Sequence, residues 1–383
     1  MAMLNQILNN PDVVIVLVGA LVSVASSLLG CFLILRKASM LSDAISHAIL
    51  LGIVLTFLLT QNQNTPLFVL GAALTGLLTV ILTESLAQSG RVKYDAAIGI
   101  VYPFFFALAV LLINLFARNV HLDTDAVLLG EIGFSWLDTT SLGALEVPTS
   151  LLKMSFVTLL NLAFILLFYK ELKLSTFDRA LSAALGFSPF ILHYALLSLL
   201  SLTSVVAFDA VGAVLLVAFV IIPPSAAYLM TDSLWRMLVI AGVVGVGSSL
   251  LGYLSALALD VSIGGMMALW TAFFLALAFL FSPRYGLISR YYQGLREKER
   301  NAKRMLLVHL FNHENDPESH QENAVSALKH HLRWDKAHIR NLIMQGLDEG
   351  LIHKNPNDQL FLTPKGRLLA QEVLAPWEYS AKL

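Results

Sequence analysis

From Val13 to Leu35 the chain runs for 23 residues without one charged side chain, and the run ends on Arg36 and Lys37. As a helix this stretch rises about 35 Å, enough to cross the roughly 30 Å hydrocarbon core of a bilayer. Lipid offers no water to the backbone, so such a run is stable there only as a helix whose N–H and C=O groups pair internally. Eight further runs follow, roughly Met40–Leu59, Leu67–Leu82, Ile98–Phe116, Ser155–Phe168, Pro189–Ala207, Val211–Met230, Leu238–Leu259 and Met266–Phe281. They predict an all-α polytopic membrane protein of about nine transmembrane helices. With 57% of its residues hydrophobic and 13% charged, the composition excludes a soluble chain. The first run is too long, and lacks the basic n-region, for a cleaved signal peptide. A single cysteine, Cys31, excludes an intrachain disulfide or a thiolate metal cluster.

The basic residues orient these runs. Arg36, Lys37, Arg91, Lys93, Lys170, Lys173, Arg179 and Arg236 all fall in alternate loops, while the other loops hold only Arg118 and Lys153. Positive residues favour the cytoplasmic side, which places the N-terminus outside and everything after Phe281 inside. The outer loops are acidic, with Asp12, Asp123, Asp125, Glu131, Asp138, Glu146, Asp209 and Asp260. An acidic mouth concentrates cations; the same acidity also follows from the inside bias alone.

Ionisable groups inside a membrane are costly and mark candidate functional sites. Asp43 and His47, in SMLSDAISHAIL, are four residues apart and share one helical face. A carboxylate oxygen and a neutral imidazole nitrogen suit Mn²⁺, Zn²⁺ or Fe²⁺. Two other readings stay open: Asp43 marking the start of the helix near Arg36, or a satisfied pair bridging two helices. Pro223 and Pro224 remove two backbone donors in mid-span and predict a break or kink, either a gate or a static bend. Between two runs lies Tyr169–Ser188, YKELKLSTFDRALSAALGFS, charged enough to leave the hydrocarbon. Ser175 or Thr176 as N-cap, Asp178 in the first turn and a stop at Gly186 before Pro189 predict a short helix, a docking element or a plain connector.

Past Pro283 the balance turns basic. Residues 1–283 form the membrane domain, 284–304 a basic, aromatic juxtamembrane linker suited to anionic lipid, and 305–383 a soluble domain. In the last, Met305–Phe311, Glu322–Leu332 and Lys336–Glu349 read as helices. A hairpin of Leu351–Lys354 and Gln359–Thr363 follows, and Pro364 opens a final helix. That order predicts a small α+β winged-helix domain. Seven of the ten histidines lie here: His309, His313, His320, His330, His331, His338 and His353. They suit a metal-sensing cluster or simple exposure on a soluble domain.

LRKASMLSDAISHAILLGIVLTFLL, LDTDAVLLGEI, STFDRALSAALGFS and VAFDAVGAVLLVAFVIIPPSAAYLMTDSLWRML together resemble, in order, the permease subunits of ATP-binding-cassette importers for manganese, zinc and iron. The C-terminal part is similar to the winged-helix portion of diphtheria-toxin-repressor-like regulators. The resemblance implies a homo- or heterodimeric permease in the bacterial cytoplasmic membrane. It would be fed by an extracytoplasmic metal-binding protein and driven by a separate ATPase, with no resident cofactor and a divalent metal as cargo. GxxxxGK[ST] is absent, so the chain is not itself the ATPase and not an enzyme. The resemblance places a coupling helix on Thr176–Gly186, with Thr176, Phe177, Asp178, Ala184 and Gly186 as its docking residues, and the metal-handling pair on Asp43 and His47. Of the candidate DNA-reading helix only Lys336 and Arg340 are strong phosphate donors, so a regulatory or packing role is expected there instead of nucleic-acid binding. An ion-gradient-driven metal transporter, with Asp43 or Asp209 carrying protons, is the alternative.

Overall fold

The run expected at Val13–Leu35 is helix α1, Pro11–Leu35. The Asn10 side chain accepts a hydrogen bond from the Asp12 N–H (3.0 Å), and Pro11 fills a first-turn position that needs no donor. At the other end Ala38 N–H returns to Leu33 O (2.9 Å) and Lys37 N–H to Ile34 O (3.0 Å). That is a Schellman stop. It puts Lys37, a residue with a Cβ, into the left-handed region at φ 58, at a cost of roughly 1–2 kcal/mol. The turn is tight, so helix α2 (Met40–Thr60) begins within a few residues and Arg36 is left at the junction.

The structure, a computed structural model, describes residues 10–60, 67–116, 131–142, 145–314, 323–325, 328 and 334–380. They divide between two compact units, Met1–Gly286 and Leu287–Leu383. In the first unit α1 and α2 are followed by α3 (Leu67–Gln88) and α4 (Tyr94–Phe116). A two-stranded antiparallel hairpin comes next, β1 (Thr139–Leu142) and β2 (Leu145–Pro148), pairing Thr139 with Pro148 and Leu142 with Leu145. Then come α5 (Thr149–Leu167), α6 (Tyr169–Phe177), α7 (Arg179–Ala184), α8 (Pro189–Met230), α9 (Leu234–Leu259) and α10 (Ile263–Phe281). Helix α1 packs against α5, α8 and α9, while α2 packs against α3 and α4. The QNQNTP turn and nearly all of the LDTDAVLLGEI motif lie outside the described residues.

Eight of the described helices are long and apolar enough to cross a membrane. The runs expected separately at Pro189–Ala207 and Val211–Met230 lie end to end in α8, an element of 42 residues with a break at Gly212. Straight, it would be about 63 Å long, twice the hydrocarbon core. It is not straight: Gly212 sits at φ 78, ψ 170, a backbone region open essentially to glycine alone. His193, near the start of α8, contacts Arg36 at the basic end of α1. Asp209 meets Lys153 at the start of α5 (2.9 Å). Beyond the break, Leu229 O accepts from Ser282, and Tyr228 and Thr231 line a cavity with Lys37. The helix therefore runs away from the basic end and returns to it.

In the second unit α11 (Leu287–Asn312) carries the basic stretch without a break into the domain. Helix α12 (Lys336–Asp348) is capped by Asp335, whose carboxylate accepts from Ala337 N–H (3.3 Å). Strands β3 (Ile352–Lys354) and β4 (Leu360–Leu362) pair antiparallel, His353 opposite Phe361, and α13 (Pro364–Ser380) follows. Asn355 closes the hairpin turn, its side-chain oxygen accepting from the N–H groups of Asn357 and Gln359. Leu307, Leu310, Leu342, Ile352 and Leu360 form the centre of a separate core. Among the described residues the only sheet here is this hairpin, and most of the helix expected at Glu322–Leu332 lies outside the described residues.

Candidate metal pair and docking segment

Because α2 starts so soon after Lys37, Asp43 falls in its first turn and His47 one turn on. His47 Nε2 and Asp43 Oδ1 are 3.4 Å apart, with the side chains 35% and 41% exposed respectively. Helix α4 walls the imidazole on two sides. Tyr102 stacks on it at 5.8 Å between ring centroids and an angle of 26°, and Phe106 meets it edge-on at 6.0 Å. Both side chains are thus within reach of an incoming ion, and the ring is held against aromatic side chains. No third His, Cys, Asp or Glu joins them among the described residues, so the pair offers two ligands of the four to six that Mn²⁺ or Zn²⁺ takes.

Pro223 and Pro224 are both buried in α8. Of the break or kink expected at these prolines, a break is not seen: the described backbone keeps helical φ/ψ through them to Met230, and the non-helical residue of α8 is Gly212. Proline at 224 leaves the Val220 carbonyl without its helical donor. That oxygen is covered by α1, since a Cβ on Gly30 would lie 1.9 Å from it. The glycine lets the two backbones close over the freed group, a close approach of the kind small residues permit in membranes.

The Tyr169–Ser188 stretch is two helices, α6 and α7, joined at Asp178. Asp178 is itself the N-cap of α7: its backbone is extended at φ −145, and its carboxylate accepts from Leu181 N–H (2.9 Å). The cap expected at Ser175 or Thr176 is thereby corrected; both belong to the last turn of α6. The physical reason is Arg36, which engages their hydroxyls. Gly186, at φ 86, stops α7 with Phe187 N–H returning to Ser182 O (3.1 Å). Phe177, Leu181 and Leu185 stand 60%, 46% and 60% exposed beside Asp178 and Arg179, and Ala184 and Gly186 are exposed with them. This is an amphiphilic knob at the basic end.

Sequence reasoning missed what lies under this knob. Arg36 Nη1 contacts His193 Nδ1 (2.8 Å), and the other face of its guanidinium donates to Thr176 Oγ1 (3.1 and 3.2 Å) and Ser175 Oγ (3.3 Å). His193 Nε2 meets Glu84 Oε1, and the Tyr194 hydroxyl donates to Glu84 Oε2 (2.7 Å). Burial, with nearby Arg179, lowers the pKa of the Arg36 guanidinium to about 10 against the opposing pull of Glu84, so it stays protonated at neutral pH. The only available signal was Glu84 as an ionisable residue near the end of an apolar run; nothing in the sequence paired it with a residue 109 positions away.

The model of the ABC 3 transport family matches residues 13–282. The chain belongs to this family. It is 43% identical to the zinc transport system membrane protein TroD of Treponema pallidum (strain Nichols) over 360 residues, 94% of this chain and 98% of that one. That alignment reaches well past residue 282 and so into the second unit. The manganese transport system membrane protein MntD of Bacillus subtilis (strain 168) is 44% identical over 288 residues, 75% of this chain and 97% of that one. Among solved structures, PsaBC from Streptococcus pneumoniae in complex with Fab aligns at a TM-score of 0.60 and 32% identity, covering 71% of this chain and 92% of that one. Membership of an ABC transport family sets aside the ion-gradient alternative, and the chain is a multi-pass, non-catalytic membrane component of such a system.

Proposed function

We propose that this chain is the permease subunit of an ATP-driven importer for manganese or zinc, with the ion passing Asp43 and His47. One observation carries the reading: a carboxylate and an imidazole held 3.4 Å apart, accessible and open to further ligands, on a membrane-crossing helix. The names of the relatives divide between zinc and manganese, and an O,N ligand pair serves either ion. The missing ligands come from water or from a second permease subunit across a two-fold or pseudo-two-fold interface. An extracytoplasmic metal-binding protein delivers the ion on the acidic side. A separate ATPase docks on the α6–α7 knob, where Thr176, Phe177, Asp178, Ala184 and Gly186 are gathered. The second unit lies in the cytoplasm, and its helix–hairpin–helix order supports a winged-helix assignment with a regulatory role, with 284–304 against anionic lipid.

The test is reconstitution of the permease with its ATPase in proteoliposomes and measurement of ATP-dependent ⁵⁴Mn²⁺ and ⁶⁵Zn²⁺ uptake. ATP-dependent accumulation of one or both supports the proposal. Accumulation driven by an ion gradient without ATP would defeat it.

A further inference from the structure

Four helix ends converge on Arg36, and the direction of every hydrogen bond there is determined. A guanidinium only donates, so His193 Nδ1 must be the acceptor and the imidazole proton sits on Nε2. From Nε2 it is donated to Glu84 Oε1, while Tyr194 donates to the other carboxylate oxygen. The other face of Arg36 donates to Ser175 and Thr176, at the end of α6 and just ahead of the Asp178 cap. One continuous chain of bonds, most of them charge-assisted, thus links the end of α3, the start of α8, the end of α1 and the base of the docking knob. His193 and Glu84 are only 17% and 12% exposed. The chain borders a cavity of about 650 Å³ lined by Arg36, Glu84, His193, Tyr194 and Arg179 among others. The cavity separates Arg179 of α7 from Glu84 of α3, so a shift of the knob against α3 has room to occur there.

We propose that Arg36, His193 and Glu84 are positioning residues for the transport cycle, a latch through which movement of the docking knob is transmitted to α3 and α8. Apolar contact resists compression and yields to separation; directional hydrogen bonds resist separation as well. Such a latch transmits a pull on the knob as well as a push. Helix α8 carries the displacement toward the fold at Gly212. The inference rests on the reading of α6–α7 as the ATPase docking segment.

Uptake of ⁵⁴Mn²⁺ and ATP hydrolysis are measured together in the reconstituted complex, for the parent, for Arg36→Gln and for the double variant Ser175→Ala/Thr176→Val. Uptake per ATP hydrolysed is expected to fall at least about tenfold in Arg36→Gln, equivalent to about 1.4 kcal/mol, and about threefold in the double variant. The double variant cuts the latch on the knob side while leaving Arg36, His193 and Glu84 in contact, so it decides the matter if Arg36→Gln fails to fold. An unchanged ratio in the double variant overturns the latch. So does a fall of uptake and hydrolysis in proportion, the mark of a merely structural role. Failure of the ATPase to co-purify with the parent chain overturns the docking reading and the latch with it, whereas co-purification with an unchanged ratio overturns the latch alone.

Discussion

Asp43 with His47, and Glu84 with His193, are the same two functional groups placed in two surroundings. The first pair sits on one helix, four residues apart, with side chains a third or more exposed and no further ligand among the described residues. The second joins α3 to α8, is nearly buried, and has every polar atom engaged, by Arg36, Tyr194 and each other. Lone pairs that are open and reachable can bind and release an ion. Lone pairs that are saturated hold helices in register, because removing one partner strands the rest in a medium where unpaired polar groups are expensive. Identical chemistry thus separates, by exposure and valence, into a pair reachable by a ligand, the one proposed to pass the ion, and a pair that ties helices together.

The largest expected effect tests the open pair. Asp43→Ala or His47→Ala should reduce metal uptake beyond the 10–100-fold typical of outer-shell ligand partners. Thermal unfolding of the purified protein should barely move, since half-exposed substitutions away from special features cost within about 0.5 kcal/mol. Retained uptake in both single variants would remove the distinction between the two pairs.

The saturated pair should behave the other way. His193→Ala leaves Glu84 Oε1 and the Arg36 Nη1 donor without their partner, and hydrogen bonds to charged groups are worth about 1.5–3 kcal/mol. The unfolding midpoint in detergent should fall clearly, while Mn²⁺ binding at Asp43 and His47, followed by calorimetry, is expected to stay within about twofold, since the two pairs share no partner. A stable His193→Ala protein would show that the network carries no structural load.

The open pair could be read from the sequence because i and i+4 on a helix is local information, and the apolar runs were legible for the same reason. Gly186 as a helix stop was legible too, being a single-residue signal. What escaped was set by contacts far apart in the chain. The cap moved from Ser175 or Thr176 to Asp178 because Arg36, about 140 positions earlier, engages the two hydroxyls. The chain stays helical through Pro223 and Pro224, where Gly30 of α1 closes over the carbonyl that Pro224 frees. Glu84 and His193 each look ordinary until folding brings them together.

The smallest effect probes how the open pair is held. Tyr102 lies nearly parallel to the His47 imidazole, and Phe106 approaches it by an edge. An aromatic face restricts rotation of the ring and so fixes how Nε2 is presented toward Asp43, and pairs of this kind are worth about 0.5–1.5 kcal/mol. Tyr102→Leu keeps an apolar side chain of similar reach but removes the planar face. Spread over that energy, the half-saturating metal concentration for uptake should rise about 2–10-fold with the maximal rate little changed, because the ring is less often oriented but both ligands remain. Phe106→Leu should do less, since an edge contact constrains rotation less than a face. Tyr102→Phe retains the face and should match the parent. If Tyr102→Phe and Tyr102→Leu weakened uptake equally, the phenolic hydroxyl, and not stacking, would be the group that matters, and the open pair would have a third polar participant after all.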